Sequence, residues 1–130
     1  MEYLLDSNVV ISVLNGKNLA VAKSLRRRKP GQIGVSAIVI HELFYGAFKS
    51  ARITQNLISV DSLRFEILEF NREDARHAGE LRAQLARQGK PIGPYDILIA
   101  GQAMSRNLIL VTHNTKEFGR VKGLRVETWD

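Results

Sequence analysis

Cysteine is absent from this 130-residue chain, so disulfide bonds and thiolate metal sites are both excluded. The chain also has no apolar run approaching the roughly 20 residues that span a bilayer. Its first residues, Met1 to Asp6, lack the basic start and apolar core of a secretion signal. We therefore expect a soluble protein of the cytoplasm that has no contact with a membrane.

Acidic residues are outnumbered by basic ones: 13 Asp and Glu stand against 19 Lys and Arg, which gives a formal net charge of +6. This excess favours a polyanionic partner, RNA or DNA above all, or an acidic protein. Hydrophobic residues make up 45% of the chain and charged residues 25%, which is typical of a globular protein. At this length we expect one domain covering residues 1–130.

Short apolar segments alternate along the chain with longer helical patterns. The predicted strands are 3–5, 32–35, 65–70, 108–111 and 124–128. The predicted helices are 9–14, 18–28, 37–49, 53–63, 71–88, 94–104 and 115–118. Because strands alternate with helices, we predict an α/β fold with a mostly parallel sheet, flanked by helices on both faces and joined by right-handed crossovers.

The segment 93–101, Gly-Pro-Tyr-Asp-Ile-Leu-Ile-Ala-Gly, opens one of these helices. Pro94 suits the first helical position, where its missing N–H has no partner to lose. Asp96 then falls in the first turn, and the apolar run to Met104 indicates a helix buried on most sides. A carboxylate at this position has a purely structural explanation, since a helix N-terminus favours it by about 0.3–1 kcal/mol. Asp96 points to function only if other acids converge on it.

Other oxygen-bearing side chains are placed where they could converge on Asp96. Asp6 follows the first predicted strand and Asn114 follows the fourth, and ligands of parallel sheets bind beyond the carboxyl ends of the strands. Glu42 stands within the apolar sequence of a helix, where an acid is costly unless it is paired or binds a metal. Glu117 lies in the last short helix. The sequence also leaves open that these groups are unrelated helix caps and surface acids.

If the acids do converge, their mutual repulsion requires a cation between them. Oxygen ligands alone favour a hard metal, Mg²⁺ or Mn²⁺, over Zn²⁺. A basic protein that holds such an ion is equipped for phosphodiester hydrolysis, because the ion orients and acidifies a water and offsets the charge that builds on the phosphate.

Two further surface features are predicted. The run Arg26-Arg27-Arg28-Lys29 ends a helix, where the helix dipole favours cations. We predict that this run is a solvated helix end, and contact with phosphates is the alternative. His41, next to Glu42, is expected to be a surface or capping residue rather than a metal ligand.

The ordered motifs of the chain resemble those of a PIN domain, over essentially the whole sequence. They are Asp6-Ser7-Asn8, then Ser36 with His41-Glu42-Leu43 and Gly46, then Pro91-Ile92-Gly93 with Asp96 and Ile99-Ala100, then Thr112-His113-Asn114, and Glu117-Phe118. Within that family the chain resembles the VapC toxins of bacterial and archaeal toxin–antitoxin pairs. Each motif alone is weak, but their order and spacing together are specific.

The resemblance implies an endoribonuclease that depends on Mg²⁺ or Mn²⁺, with Asp6, Glu42 and Asp96 as its acids and metal ligands. Asn114 stands where many relatives carry Asp, which makes it a fourth candidate ligand. Glu117 matches the acid of an Asn-x-x-Glu-Phe pattern and is a further candidate catalytic group, so the fourth position stays open. The implied supporting residues are Ser7, which replaces the commoner Thr, Asn8 and Thr112.

The resemblance also implies partners: a homodimer, an RNA substrate, and a VapB-type antitoxin whose tail blocks the acidic pocket. Relatives with a similar C-terminal half cut initiator tRNA in its anticodon loop, which makes tRNA a candidate target. The main alternative is a catalytically silent PIN-like module that binds RNA or a protein. Dehalogenase-type enzymes would need a second Asp where Asn8 stands, and no Gly-x-x-x-x-Gly-Lys-Ser/Thr loop is present for a nucleotide triphosphatase.

Overall fold

The structure, a computed structural model, describes residues 1–129. In chain order its elements are β1 (Tyr3–Leu5), α1 (Ser7–Asn15), α2 (Leu19–Arg26), β2 (Ile33–Ser36), α3 (Ala37–Lys49), α4 (Ile53–Asp61), β3 (Glu66–Leu68), α5 (Arg72–Arg87), α6 (Pro94–Ser105), β4 (Ile109–Val111), α7 (Thr115–Phe118) and β5 (Val126–Glu127). A turn of 3-10 helix, Pro30–Gln32, precedes β2. Across these 129 residues, none of the helices has the length and apolar character needed to cross a membrane.

The five strands form one sheet in the order β3-β2-β1-β4-β5, and each neighbouring pair is parallel. β1 lies at the centre, and Tyr3, Leu4 and Leu5 are all buried. Because successive side chains of a strand point to opposite faces, burial of all three means that both faces of the sheet are covered. The predicted α/β fold is confirmed, with a sheet that is parallel throughout the described strands.

The ends of the helices follow local chemistry that is visible in the sequence. Asp6 caps α1, and its Oδ1 accepts a hydrogen bond from Ser7 N at 2.8 Å. Gly16 ends the same helix with a φ of 64°, the left-handed conformation that glycine adopts without strain. Ser36 caps α3, and Pro94 is the first residue of α6, as predicted. The predicted helix 9–14 is therefore confirmed, although it begins at Ser7.

Helices α5 and α6 pack against each other very closely. A Cβ placed on Gly101 would lie only 2.5 Å from Ala78 Cα, so the backbones of the two helices meet at that glycine. The spacing of Ala75, Ala78, Leu81 and Leu85 predicts that they share one apolar face of α5. The last three are buried, but Ala75 is exposed, so its place on that face was wrong. The buried residue at this end of α5 is instead an acid, Asp74.

Asp74 is fully buried and its charge is neutralised by the neighbouring helix. Arg106, just past the end of α6, donates to both carboxylate oxygens, from Nε at 3.3 Å and from Nη2 at 3.0 Å. Gln102 Nε2 donates to Asp74 Oδ2 at 3.1 Å, and Asn71 N donates to the same oxygen at 2.9 Å. These bonds hold the pKa of Asp74 below its usual value in spite of burial, which acts to raise it. This acid joins α5 to the helix that carries Asp96.

The basic run at the end of α2 contains two kinds of cation. Arg26, Arg27 and Lys29 are exposed, as predicted for a solvated helix end. Arg28 is different: its guanidinium lies 4.7 Å from the ring centre of Tyr3 and 4.3 Å from that of Trp129. Because it packs on two buried rings, Arg28 joins the end of the chain to the sheet, and the prediction of a uniformly solvated run was wrong at this residue.

Candidate active site

The first part of the candidate site lies at the carboxyl ends of β1 and β4. Leu5 pairs with Val111 in register, so Asp6 and Thr112, the next residue on each side, leave the sheet side by side. Thr112 Oγ1 donates to Asp6 Oδ2 at 2.7 Å, while Ser7 N donates to Oδ1. Asp6 is only 4% exposed, so these two donors fix the carboxylate in one orientation.

Glu42 joins this group from α3. The Ser7 hydroxyl donates to Glu42 Oε1 at 2.9 Å, across 35 residues of sequence. Since β2 is the neighbour of β1, the helix that follows it carries Glu42 back to the start of α1. Ser7 was expected to be a supporting residue, and in the structure its hydroxyl orients this carboxylate.

Glu117 reaches the site from α7 and is held by two donors. Gly93 N donates to Glu117 Oε1 at 2.6 Å, and Asn114 Nδ2 donates to Oε2 at 3.0 Å. The bond from Asn114, then the bond from Gly93, lowers the pKa of Glu117 from its usual value. Asn114 Oδ1 accepts from Glu117 N at 3.3 Å, which caps α7. Glu117 is thus kept ionised at neutral pH, and Asn114 serves to position it.

Asp96 lies in electrostatic surroundings that oppose its ionised form. Burial, and then the charges of Asp6, Glu117 and Glu42, raise the pKa of Asp96 from its usual 3.8 to about 6. The position in the first turn of α6 should favour the charged form, so the structural explanation considered for Asp96 does not account for this result. The three other acids have converged on Asp96 closely enough to oppose its ionisation.

Gly93 keeps the space beside Asp96 clear. A Cβ at this position would lie 3.2 Å from Asp96 Oδ2 and 3.7 Å from Glu117 Oε1. A side chain at residue 93 would therefore crowd Asp96 and lie in contact with Glu117. The motif Pro91-Ile92-Gly93 contained this residue, but nothing local in the sequence indicates that its N–H holds Glu117.

The structure brings most of the predicted site residues together and leaves others outside the acidic site. The charges of Asp6, Glu42 and Glu117 act on Asp96, and Thr112, Ser7 and Asn114 hold those three acids in place. Asn8 is exposed in the first turn of α1 and has no hydrogen bond to these acids, and His41 is exposed as expected. Within residues 1–129, no three His, Asp or Glu side chains form a group that could hold a metal ion as they stand.

The donors at this edge of the sheet nevertheless suit a hard divalent cation. They are carboxylate and amide oxygens, the ligands of Mg²⁺ and Mn²⁺. Each cause that shifts the pKa of Asp96 raises it, which is the condition that a bound cation would relieve. The space that Gly93 leaves open adjoins two of the carboxylates.

Comparison with known proteins places the chain in a family. The family model for the PIN domain matches residues 3–124. A protein of Shigella flexneri named tRNA(fMet)-specific endonuclease VapC is 41% identical, over 99% of this chain and 98% of that protein. Ribonuclease VapC2 of Haemophilus influenzae is 40% identical, over 99% of this chain and 98% of that protein.

Solved structures agree with the sequence comparison. The DNA-bound VapBC of Salmonella typhimurium matches with a TM-score of 0.95 and 39% identity, over 100% of this chain and 99% of that one. VapBC2 of Rickettsia felis, bound to a DNA fragment from its promoter, matches with a TM-score of 0.92 and 36% identity, over 100% of both chains. The chain therefore belongs to the PIN-domain family and, within it, to the VapC ribonucleases.

Proposed function

We propose that this chain is a metal-dependent endoribonuclease toxin of a toxin–antitoxin pair, acting in the cytoplasm as one PIN domain of residues 1–130. One observation carries the proposal: burial, together with the charges of three carboxylates from separate elements, raises the pKa of Asp96 to about 6. A structural acid is normally paired or hydrogen-bonded to a cation. Asp96 is instead kept beside three other acids whose charges oppose its ionisation, which suits an ion that arrives with the reaction.

In this proposal Asp6, Glu42 and Asp96 hold Mg²⁺ or Mn²⁺. When bound, the ion supplies an oriented, acidified water and offsets charge on the phosphate. The chain's own residues prepare for it: Thr112 fixes Asp6, and Ser7 fixes Glu42.

For the fourth group we favour Glu117 over Asn114. The amide of Asn114 is engaged twice with Glu117, through its nitrogen at 3.0 Å and its oxygen at 3.3 Å. Glu117 is the group that brings negative charge to Asp96, so it is better placed to act as ligand or base. Asn114 is then a positioning residue.

The relatives suggest a substrate and a protein partner. The Shigella flexneri protein is named for initiator tRNA, which makes that tRNA, with its anticodon loop, the first substrate to test here. The similar structures are VapBC complexes, which supports a VapB-type antitoxin as inhibitor, and we also propose a homodimer. Expression of the toxin should arrest growth, and a small protein encoded beside the gene should relieve the arrest. If no neighbouring product binds the toxin, the antitoxin part is wrong.

The decisive experiment incubates the purified protein with initiator tRNA and with total RNA, with Mg²⁺, with Mn²⁺ and with a chelator, and then sequences the RNA ends. We expect cleavage at defined positions in the presence of the ions and none with the chelator. Asp96→Asn is the inactive variant, and Asp61→Asn, at the exposed end of α4, is the matched control. Binding of RNA without cleavage under every metal condition would favour the alternative, a silent PIN-like binding module.

A further inference from the structure

An exposed pair of aromatic rings borders the acidic site, and the proposed function gives it no role. His41 precedes Glu42 in α3, and Tyr95 precedes Asp96 in α6. The ring centres of His41 and Tyr95 lie 5.3 Å apart, with the ring planes inclined at 57°. The two helices that supply site acids therefore also bring these two rings together at the rim.

The pair is not part of the core of the protein. Helix α6 is buried on most sides, with Ile97, Ile99 and Ala100 almost inaccessible, but Tyr95 is 45% exposed. His41 is exposed in the same way, although Val39 and Leu43 on the same helix are buried. A tyrosine ring left half in solvent beside a polar site gains little stability from its position, so its contribution is better sought in binding.

We propose that His41 and Tyr95 form a stacking platform for a nucleobase of single-stranded RNA next to the phosphate that is cut. This inference rests on the proposed function, since it concerns the substrate of the same site. Exposed aromatic rings bind unpaired bases by stacking, and every base offers a face for it, so such contacts tolerate many sequences.

The charges around the site explain why such a platform is needed. Asp6, Glu42, Asp96 and Glu117 repel an approaching phosphate, so ionic contact cannot hold RNA over the acids themselves. Arg120 acts electrostatically on Glu117, and its Nη1 donates to Pro91 O at 3.1 Å in the loop before Gly93. Stacking involves no net charge. An aromatic pair can therefore add affinity for RNA beside the acids, where a cationic side chain would disturb the metal site.

The platform makes a specific prediction about salt. Affinity that comes from phosphate contacts falls steeply as salt rises, whereas affinity from stacking changes little. Tyr95→Ala should therefore weaken RNA binding at every salt concentration and leave the slope of log affinity against log salt unchanged. Removal of exposed cations should change that slope.

The test measures binding by fluorescence anisotropy without divalent ions, so that no cleavage is required. The probes are a short single-stranded RNA of mixed sequence and an abasic chain of the same length. We expect wild-type protein to prefer the RNA with bases, and Tyr95→Ala to bind it about 10-fold more weakly and to lose the preference. Tyr95→Phe should keep it, and His41→Ala should weaken it. Phe48→Ala is the matched control, because Phe48 is an exposed aromatic residue of α3, 61% accessible, two turns beyond His41.

Each outcome of this test separates the inference from the proposed function. If Tyr95→Ala binds both probes as wild type does, or weakens both equally, the platform is wrong even where RNA cleavage continues. If Tyr95→Ala loses the base preference but the wild-type protein cuts no RNA, the platform stands and the nuclease proposal fails. If Tyr95→Ala changes the oligomeric state in gel filtration and not the base preference, the rings belong to an interface between copies and the inference is overturned.

Discussion

Asp74 and Asp96 lie in the first turns of two helices that pack together, yet their surroundings are opposite. Asp74 is fully buried, and Arg106, Gln102 and Asn71 donate to it. Asp96 is less buried and is surrounded by the charges of three other acids. The pKa of Asp74 is lowered and that of Asp96 is raised to about 6. The same residue type at the same helical position therefore has opposite electrostatic costs in one molecule.

The difference teaches how to tell a structural acid from a functional one. Asp74 stabilises the contact between α5 and α6, because its charge and its hydrogen-bonding oxygens are satisfied within the fold. Asp96 costs stability as long as its neighbours are charged, and acids with strongly raised pKa values cluster at binding and catalytic sites. The two acids differ less in how deeply they are buried than in whether the protein itself provides partners for their charge.

Removal of the Asp96 charge should have the largest effect on activity and little effect on the fold. We expect Asp96→Asn to lower RNA cleavage by at least about 100-fold, since even groups that only support a metal ligand cost 10–100-fold. Its thermal unfolding should be unchanged or shifted upward, because a source of repulsion is gone. Cleavage is measured at matched purity beside Asp61→Asn. Wild-type turnover by Asp96→Asn would count decisively against the assignment.

Removal of Asp74 should reverse this pattern. We expect Asp74→Ala to lower the free energy of unfolding by about 2–4 kcal/mol, because Arg106 loses its partner and the Asn71 N–H loses its acceptor in the capping box of α5. The value lies below that of a fully buried pair, since the Arg106 side chain is 29% exposed. Urea unfolding measures it, and Glu73→Ala, exposed in the same turn, is the control. If Asp74→Ala and Glu73→Ala unfold with equal free energies, Asp74 does not have the structural role that distinguishes it from Asp96.

The two acids should also respond to pH in different windows. The pKa of Asp96 in the folded protein is about 6, above the usual 3.8, so the folded state binds its proton more readily than the unfolded state. Metal-free protein should therefore lose stability as pH rises from about 4 to about 6. The pKa of Asp74 is lowered, so its stabilisation is present above pH 3.8 and is lost as pH falls through the folded-state pKa.

Urea unfolding at a series of pH values, without divalent ions, tests this difference. Asp96→Asn should lose the decline between pH 4 and pH 6, and Mg²⁺ should stabilise the wild type more at pH 7 than at pH 5. A variant that keeps the full decline would show that Asp96 is not its source.

The same distinction extends to the cations at the end of α2 and gives the smallest expected effect. If Arg26, Arg27 and Lys29 contact phosphates, their joint replacement by Gln should flatten the salt dependence of RNA binding by about 2 in log–log slope. Arg28→Gln should lower stability instead, because that guanidinium packs on Tyr3 and Trp129. An unchanged salt slope in the triple variant would show that these three residues are solvated and do not contact phosphates.

The sequence alone determined most of the secondary structure and the identity of the candidate acids. Helix caps such as Asp6 and Ser36, the glycine that ends α1 and the proline that begins α6 act within a few residues, so they can be read directly. Alternation of strands and helices then indicated a parallel sheet, and its topology indicated that Asp6 and Asn114 would share an edge.

Only the tertiary structure decided which charges have partners. Thr112 meets Asp6 across 106 residues and Arg106 meets Asp74 across 32, through strand register and close helix packing that no local pattern encodes. The sequence therefore named Asp96 but not its raised pKa, and it missed Asp74 and the role of Arg28. Local chemistry fixes where elements begin and end, whereas the energy of a charge depends on neighbours that only the folded chain brings near.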